Sequence, residues 1–443
     1  MEPPPFEKDF YMEHPSVAAR SSSEIEAYRR DQRITVSDRR APKPVRTFLE
    51  AAFPEFLTCD LEASGFGAPT PIQSQAWPVA LSGLDMVGLA STGSGKTLAF
   101  ALPALVHINA QVHLAAGDGP IVVMLAPTRE LALQIKGECD KFGASSGVKN
   151  TCVYGGVPKG PQLRDLQHGV EICIATPGRL LDFIDAGQTN LRRTTFLVCD
   201  EADRMLDLGF EPQLRRIIET VRPDRQTLMF SATWPREVEK LARTYLEHHV
   251  KVQVNNASQL TANTSIEQHF EVTNEAEKHG RYLQVLRAVS ESGERIITFC
   301  ASKKNCEILR AGLKRSGATA EALHGDKSQQ ERDWAMLQFR NGACTHLIAT
   351  DVASRGLDVK GVRAVINYDA PGQAEDYVHR IGRAGRAGEK GESYTFFTHA
   401  DEPVARDIER VLRRSGGPVP RELQHFCQGR GGDAQHNQNR RWR

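Results

Sequence analysis

The sequence lacks a strong excess of charge of either sign. Among its 443 residues, 56 lysines and arginines are balanced by 55 aspartates and glutamates, which leaves a formal net charge of +1. A chain-wide basic surface for nucleic acid is therefore excluded, so any nucleic-acid contact must be local. Long apolar runs are also missing, because none approaches the roughly 18 residues that a membrane-spanning helix needs. We expect a protein without a membrane segment.

Paired cysteines are absent as well. The nine cysteines are scattered along the chain, and no two of them form a C-x-x-C pair. In a chain of this size, that spacing argues against a disulfide scaffold or a zinc site and favours reduced thiols. The first eight residues combine prolines and acids where a secretory signal would carry basic and then apolar residues. These features predict an intracellular protein.

Short apolar runs alternate with amphipathic stretches over most of the chain. Strand, helix, strand, helix is the pattern of a parallel sheet with crossover helices. The polar segment 255–264 interrupts this alternation, which then starts again, so the sequence predicts an α/β fold with two lobes joined by a linker. The predicted strands are Ile121–Ala126, Glu171–Ala175, Phe196–Cys199 and Gln226–Phe230 in the first lobe and Arg295–Cys300, His346–Thr350, Ala364–Tyr368 and Ser393–Thr398 in the second.

The two ends of the chain lack sustained periodicity. Residues 1–45 are polar and contain prolines and arginines, which predicts an extended arm in which Ser23–Arg30 is compatible with a short helix. After Gly416 the chain becomes rich in Gly, Gln and Arg, which predicts disorder. The predicted organisation is an N-terminal extension 1–45, a first domain 46–254, a linker 255–264, a second domain 265–415 and a tail 416–443.

A glycine-rich loop follows the short apolar strand Asp85–Ala90 and leads into the apolar run Leu98–Ile108. Strand, glycine-rich loop and helix form the context of a phosphate-binding P-loop, in which glycines let backbone N–H groups turn toward phosphates. Lys96 is placed to reach the β- and γ-phosphates, and the Thr97 hydroxyl to ligate Mg²⁺. Because Ala90 stands where the pattern has its first glycine, a simple glycine-rich turn is the alternative. The candidate ATP-binding residues here are Thr92, Gly93, Ser94, Gly95, Lys96 and Thr97.

An acidic quartet, Asp200-Glu201-Ala202-Asp203, follows the apolar strand Phe196–Cys199. Acids at the carboxyl end of a parallel strand lie on the rim where α/β sheets bind their ligands. Asp200 is placed to hold Mg²⁺ through water, and Glu201 to position and polarise the attacking water. A solvated acidic turn is the alternative, but the position on its own strand after a P-loop favours ATP hydrolysis.

From about Phe48 to Phe397, the motifs of the chain resemble, one after another, those of DEAD-box RNA helicases. The resemblance implies two tandem RecA-like domains, each with a mostly parallel sheet flanked by helices. The segment Gly65–Gln73 resembles the family's adenine-binding Q motif, which implies base contacts from Phe48, Phe66 and Gln73. Ser231-Ala-Thr233 resembles the motif that couples hydrolysis to strand separation, which implies that the hydroxyls of Ser231 and Thr233 reach Asp203. The implied coupling residues are Asp203, Ser231, Thr233 and His379.

The resemblance also implies RNA contacts from both lobes, through backbone N–H groups, hydroxyls and arginines that follow strands. Judged alone, each of these segments is an ordinary turn, helix start or surface ion-pair partner, and only the ensemble favours RNA binding. The implied RNA-binding residues are Pro127, Thr128, Arg129, Gly155, Gly156, Thr176, Pro177, Gly178 and Arg179 in the first lobe and Gln329, Arg332 and Thr350 in the second.

The second lobe resembles the family in a further set of ATP contacts. Gly356 and Asp358 would contact the nucleotide. Arg383 and Arg386 are three residues apart, so both can point at one γ-phosphate and act as arginine fingers. A basic, solvated face is the alternative for these arginines.

Together the resemblances imply RNA-stimulated ATP hydrolysis in a cleft that closes between the lobes. This hydrolysis would drive local, largely sequence-independent unwinding of RNA duplexes or remodelling of ribonucleoprotein. The alternatives are an ATP-locked RNA clamp with little turnover and a DNA translocase on the same plan.

Within the family, the chain looks nearest to the nuclear branch that contains animal DEAD-box protein five and yeast DEAD-box protein two. This resemblance implies RNA processing or ribosome biogenesis in the nucleus or nucleolus, with a cytoplasmic pool. We also expect a monomeric core and protein partners on the two terminal extensions.

Overall fold

The computed structural model describes residues 5–38, 41–255, 266–290, 294–351, 359, 361–385, 391–414 and 419–428. The chain divides into two compact units, Met1–Ser258 and Gln259–Arg443, which are domain 1 and domain 2 below. The boundary falls within the segment 255–264 that the sequence marks as a linker. Apart from Asn255, that linker lies outside the described residues.

Domain 1 is organised around one mostly parallel sheet. Its eight strands are β1 (Ile34–Val36), β2 (Met86–Leu89), β3 (Val122–Leu125), β4 (Asn150–Val153), β5 (Ile172–Ala175), β6 (Phe196–Cys199), β7 (Gln226–Ser231) and β8 (Val250–Val254). The order across the sheet is β1-β8-β2-β7-β6-β3-β5-β4, and only the β1–β8 pair is antiparallel.

Helices cover both faces of this sheet. They are α1 (Pro15–Ala18), α2 (Ser22–Asp31), α3 (Glu55–Ala63), α4 (Pro71–Leu81), α5 (Lys96–Asn109), α6 (Arg129–Gly143), α7 (Lys159–His168), α8 (Pro177–Asp185), α9 (Ala202–Asp207), α10 (Glu211–Thr220) and α11 (Arg236–Tyr245). Along β3, Val122 and Met124 join one hydrophobic cluster, while Val123 and Leu125 join another. Because successive side chains of a strand point to opposite faces, β3 is apolar throughout and buried on both sides.

Domain 2 repeats this architecture on a smaller scale. Its strands are β9 (Ile266–Val272), β10 (Arg295–Phe299), β11 (Ala320–Leu323), β12 (His346–Ala349), β13 (Val362–Asn367) and β14 (Gly391–Phe397). They form a parallel sheet in the order β11-β12-β10-β13-β14-β9. The helices are α12 (Glu275–Ser290), α13 (Lys303–Arg315), α14 (Gln329–Arg340), α15 (Ala374–Ile381), α16 (Glu402–Arg414) and α17 (Arg421–Gln428).

The predicted α/β class with two mostly parallel sheets is confirmed. The predicted strands match the observed ones to within two residues at each end, and those buried on both faces, such as β3 and β6, are uninterrupted apolar runs.

Residues 5–38 and 41–45, by contrast, are part of domain 1 and not a separate extended arm. Val17, Ile34 and Val45 are buried in its core, and β1 lengthens its sheet. These anchors are single apolar residues far apart in the sequence, so they leave no periodicity.

The predicted disorder after residue 416 is wrong for Arg421–Gln428, which form α17. Leu423 is fully buried, Cys427 is buried one turn later, and Phe426 stacks on Phe397 with ring centroids 5.8 Å apart. This i, i+3, i+4 apolar spacing holds the helix on domain 2. Residues 429–443 of the predicted tail lie outside the described residues. No helix within the described ranges is long and apolar enough to cross a membrane.

Truncation of Leu423 tests whether α17 belongs to the domain 2 core. Leu423→Ala should lower the free energy of unfolding of domain 2 by about 2–5 kcal/mol, because it leaves a cavity under the helix. Thermal unfolding and hydrogen exchange of the α17 amides measure the effect, with the exposed Arg421→Ala as the control. Unchanged stability and fast exchange of these amides in the wild type would rule out the packing described here.

Candidate active site

The glycine-rich loop lies at the carboxyl end of β2, a fully buried strand between β7 and β8. Gly93 and Gly95 have φ angles of +76° and +90°, in the left-handed region that favours glycine. Gly95 directly precedes α5, so the loop delivers the chain to the N-terminus of that helix. Free backbone N–H groups at such a terminus bind phosphates well.

Lys96 is the first residue of α5 and is almost completely buried. Its Nζ donates a hydrogen bond to the Ala90 carbonyl oxygen at 2.9 Å, across the mouth of the loop. The Ser94 hydroxyl is buried and has no hydrogen-bond partner among the described residues. A buried cation and an unsatisfied hydroxyl in one loop fit the charge and oxygen atoms of a phosphate.

Asp200 lies at the carboxyl end of β6 and is buried. Its Oδ1 accepts a hydrogen bond from the Glu201 backbone N–H at 2.9 Å. Burial raises the pKa of Asp200 to about 7; the Lys96 ammonium opposes this rise, and the Glu201 carboxylate adds to it. A nearby cation stabilises the charged form of a buried carboxylate such as Asp200.

Glu201 is buried and has a φ angle of +51°, which is unusual for a residue other than glycine. Backbone strain of this kind costs about 1–3 kcal/mol and tends to occur at functional positions. The strained turn places Glu201 at the N-cap of α9, next to Asp200.

The predicted contact between the coupling residues is present for Thr233. The Asp203 Oδ2 atom accepts hydrogen bonds from the Thr233 N–H at 2.9 Å and from its hydroxyl at 2.7 Å. The prediction is wrong for Ser231, whose buried hydroxyl has no hydrogen-bond partner among the described residues. The Ser231 carbonyl instead accepts from the Ala90 N–H at 3.1 Å and so ties β7 to the start of the P-loop.

The amide of Gln73 contacts the P-loop directly. Its Nε2 donates to the Gly95 carbonyl at 3.0 Å, and its Oε1 accepts from the Thr70 N–H at 3.0 Å. A primary amide has two N–H donors and two acceptor lone pairs, so one of each stays available for an adenine edge. A Cβ atom on Gly95 would lie 2.6 Å from Gln73 Nε2, which explains the glycine.

The two aromatic residues of the predicted adenine site differ in exposure. Phe66 is 46% exposed, with Lys141 Nζ 5.5 Å from its ring centroid. Phe48 is half-buried against Trp77, with ring centroids 6.1 Å apart. Phe66 therefore offers a face for stacking, whereas Phe48 already packs on α4.

The predicted RNA-binding segments of domain 1 follow β3, β4 and β5, which are neighbours in the sheet. Because these strands are parallel, the segments lie along one edge of the sheet. Thr128 caps the N-terminus of α6, and Thr176 stands at the N-cap of α8, ahead of Pro177. Both helix starts present backbone N–H groups suited to phosphate oxygens.

The two arginines of these segments are held against domain 1. Arg179 donates to the Gln162 Oε1 atom at 3.2 Å and to the Val157 carbonyl at 3.1 Å. The Arg129 guanidinium lies 4.6 Å from the centroid of the Tyr154 ring. These arginines thus brace the segments against one another, in addition to carrying charge.

In domain 2, Gln329 begins α14 and its Oε1 accepts a hydrogen bond from Arg332. Thr350 follows β12 and is buried, and its N–H donates to the Leu323 carbonyl at 3.1 Å. His379 lies on α15, and Arg383 lies just after that helix; both are buried. The predicted ATP contacts Gly356, Asp358 and Arg386 lie outside the described residues.

An ion pair between the buried Arg380 and the partly buried Asp351 supports this part of domain 2, and it was not predicted from the sequence. Arg380 binds Asp351 with two parallel hydrogen bonds of 2.6 Å, and it also donates to the Asp369 carbonyl at 2.8 Å. Arg380 is 3% exposed. Since Asp351 directly follows Thr350, and Arg380 precedes Arg383 by three residues, the pair ties two predicted site segments together.

Two helicase family models match the sequence of this chain. A DEAD/DEAH box helicase model matches residues 70–241, and a helicase conserved C-terminal domain model matches residues 277–388. DEAD-box ATP-dependent RNA helicase 20 of rice is 57% identical over 426 residues, covering 96% of this chain and 86% of that protein. The chain belongs to the DEAD-box ATP-dependent RNA helicases.

Other relatives of this helicase agree with that assignment. ATP-dependent RNA helicase DBP2 of Candida albicans is 53% identical over 424 residues, covering 96% of this chain and 75% of that protein, in line with the expected branch. Among solved structures, Saccharomyces cerevisiae Dbp5 bound to RNA and ADP BeF3 has a TM-score of 0.74 and 28% identity, covering 86% of this chain and 100% of that one. The expected tandem RecA-like fold is confirmed.

The raised pKa of Asp200 predicts how pH affects the stability of the nucleotide-free helicase. An unfolded aspartate titrates near pH 4, so the folded state binds this proton more tightly and loses stability as pH rises toward about 7. Asp200→Asn removes the buried charge and should raise the Tm more at pH 8 than at pH 5. About 2–4 °C is expected for each kcal/mol relieved in a domain of this size.

Thermal scans of Asp200→Asn and of the exposed control Asp31→Asn, both in EDTA, measure this difference. The control should show no such pH dependence. An equal Tm change for Asp200→Asn at both pH values would contradict the burial argument.

Disruption of the Arg380–Asp351 pair should lower both ATPase activity and stability. Arg380→Lys keeps the positive charge but loses the planar guanidinium group that makes two hydrogen bonds to Asp351. RNA-stimulated ATPase activity should therefore fall roughly tenfold or more, and the Tm should drop. Arg413→Lys is the matched control, because Arg413 also donates two hydrogen bonds to a carboxylate, that of Glu409, but is itself exposed. If Arg380→Lys behaves like Arg413→Lys, the pair has no role in arranging the site.

Proposed function

We propose that this helicase hydrolyses ATP in a cleft that forms when domain 1 and domain 2 close on ATP and RNA. The observation that carries the proposal is the meeting of three elements on the adjacent strands β2, β7 and β6. These are the P-loop after β2, Ser231 at the end of β7 and the buried acidic turn after β6. They bring a cation, free backbone N–H groups and two carboxylates to one edge of the sheet.

The donor set of this edge fits Mg²⁺. Thr97 and Asp200 would hold the ion, Asp200 through water, as part of a site completed by phosphate oxygens. Within the described ranges no group of three or more His, Cys, Asp and Glu could hold a metal by itself. When bound, Mg²⁺ supplies charge neutralisation to the phosphates.

Each proposed catalytic residue has a distinct task. Lys96 binds the β- and γ-phosphates, after giving up its hydrogen bond to the Ala90 carbonyl. Glu201 orients the attacking water and accepts its proton, and its strained backbone holds the carboxylate in place. Arg383 and Arg386 of domain 2 stabilise the charge that develops on the γ-phosphate. Hydrolysis therefore requires both domains, and RNA stimulates it by favouring closure.

RNA binding is proposed along the edge formed by the segments after β3, β5 and β4. The N-termini of α6 and α8 and the nearby glycines offer N–H groups to the phosphates of RNA. Contacts to phosphates do not depend on the base sequence of the RNA. We therefore expect largely sequence-independent binding and local strand separation or ribonucleoprotein remodelling. The related Dbp5 structure, which is bound to RNA, supports this proposal.

We further propose a nuclear or nucleolar location with a cytoplasmic pool, a role in RNA processing or ribosome biogenesis, a monomeric core, and protein partners on the terminal segments. The similarity to the DBP2 proteins supports the choice of branch on which this proposal rests.

Glu201→Gln tests the proposed chemistry. The amide keeps the shape of the side chain but cannot accept the proton, so RNA-stimulated turnover should fall roughly 100-fold or more. ATP and RNA binding should persist. Steady-state ATPase assays and equilibrium binding measure both properties, with the exposed Glu237→Gln as the control.

Wild-type turnover in Glu201→Gln would refute the role of Glu201. Stronger stimulation of the wild type by DNA than by RNA of the same sequence would favour a DNA translocase. Tight ATP-dependent RNA binding with almost no turnover in the wild type would favour a clamp.

A further inference from the structure

The N-terminal leader, defined here as residues 5–38 and 41–45, lies outside the segment 70–241 that the family model matches, yet it is hydrogen-bonded to the helix that carries Gln73. The Phe10 N–H donates to the Leu81 carbonyl at 2.6 Å, at the C-terminal end of α4. The Val45 N–H donates to the Ser74 carbonyl at 2.9 Å, near its N-terminal end. The leader therefore binds α4 at both ends.

A buried amide fixes the middle of this contact. Gln75 is fully buried, its Oε1 accepts from Arg29 Nε at 3.0 Å, and its Nε2 donates to the Pro42 carbonyl at 2.8 Å. Arg29 also donates to the same Pro42 carbonyl, at 3.3 Å. Arg29, Gln75 and Pro42 thus form a closed set of hydrogen bonds between the leader and α4.

Other residues of α4 contact the nucleotide-binding elements. Two residues before Gln75, Gln73 binds the Gly95 carbonyl of the P-loop. Two residues after it, Trp77 Nε1 donates to the Leu98 carbonyl of α5 at 3.0 Å. α4 therefore connects the leader to the P-loop, and its position sets the distance between Gln73 and Gly95.

The leader also packs on the far end of α5. The rings of Phe6 and Phe10 lie 5.8 Å and 6.0 Å from the ring of His107, which is buried and hydrogen-bonded to the Thr195 hydroxyl at 2.7 Å. Close by, a Cβ atom on Gly83 would lie 2.6 Å from the Lys8 carbonyl oxygen, so the leader backbone passes tightly over the end of α4.

We propose that Arg29 and Gln75 are positioning residues for nucleotide recognition. The leader holds α4 against the P-loop, so that the Gln73 amide keeps the place from which it contacts adenine. Loss of the Arg29–Gln75 contact lets α4 shift, which weakens ATP binding and the preference for adenine more than it affects hydrolysis of bound ATP. The inference rests on the proposed adenine contact of Gln73.

The full-length chain carrying Arg29→Ala tests the proposal. Arg29→Ala removes one hydrogen bond to Gln75 and one to the Pro42 carbonyl, so α4 is held less firmly and KM for ATP should rise roughly threefold to tenfold. kcat at saturating ATP and RNA should change little, and the ratio of KM for GTP to KM for ATP should fall. Arg29→Lys retains a donor and should recover part of the loss.

Lys43→Ala is the matched control. Its Nζ binds the Ala18 carbonyl at 2.8 Å and lies 3.9 Å from Glu13, so its contacts stay within the leader. This variant should lower the Tm without changing KM or the nucleotide preference. Assays run well below both Tm values separate positioning from a general loss of stability.

Gln73→Ala distinguishes failure of the positioning role of Arg29 and Gln75 from failure of the adenine contact of Gln73. If Gln73→Ala leaves the preference for ATP over GTP intact, the proposed adenine contact is wrong. If Gln73→Ala abolishes that preference while Arg29→Ala matches Lys43→Ala in KM and preference, the positioning role is overturned. A fall in kcat without a rise in KM for Arg29→Ala would overturn it too.

Discussion

Parallel strands that end at one edge of a sheet impose the arrangement of domain 1. β2, β7 and β6 are neighbours, so the P-loop meets Asp200 and Ser231 although more than a hundred residues of sequence separate it from either one. The strands themselves are buried on both faces, so the edge is where polar side chains gather. The proposed chemistry in this domain depends on that edge.

The same edge reduces the stability of the nucleotide-free protein. Asp200 is a buried carboxyl with a raised pKa, Glu201 has a strained backbone, and the hydroxyls of Ser94 and Ser231 have no hydrogen-bond partner among the described residues. Each such feature costs about 1–3 kcal/mol. A phosphate and its cation offer the charge and oxygen atoms that these groups lack, so ligand binding relieves part of the cost.

Much of the fold and of the candidate site could be predicted from the sequence, for physical reasons. Fully buried strands such as Val122–Leu125 are continuous apolar runs, and Lys96, Asp200 and Glu201 occur in local motifs whose spacing identifies them. The resemblance to the Q motif singled out Gln73, although its contact with the Gly95 carbonyl was not expected. The sequence placed Phe48 and Phe66 in the site without distinguishing the packed ring from the exposed one.

Long-range polar pairs and isolated apolar anchors escaped prediction. Arg29 and Gln75 are 46 residues apart, and Arg380 and Asp351 are 29 apart, so no local pattern joins either pair. Helix α17 escaped because three apolar residues within eight are too few to show against the Gly- and Arg-rich stretch that follows. These contacts depend on tertiary structure, and a single sequence does not encode them as spacing.

The central claim is that ATP and RNA together bring domain 2 to the nucleotide held by domain 1. Energy transfer between a donor on Cys59, the one exposed cysteine among the nine, and an acceptor on Arg287→Cys in α12 measures this closure directly. A non-hydrolysable ATP analogue and single-stranded RNA, added together, should raise the transfer efficiency strongly, while either alone should change it little. A full rise with the ATP analogue alone, or no change with both, would contradict the account.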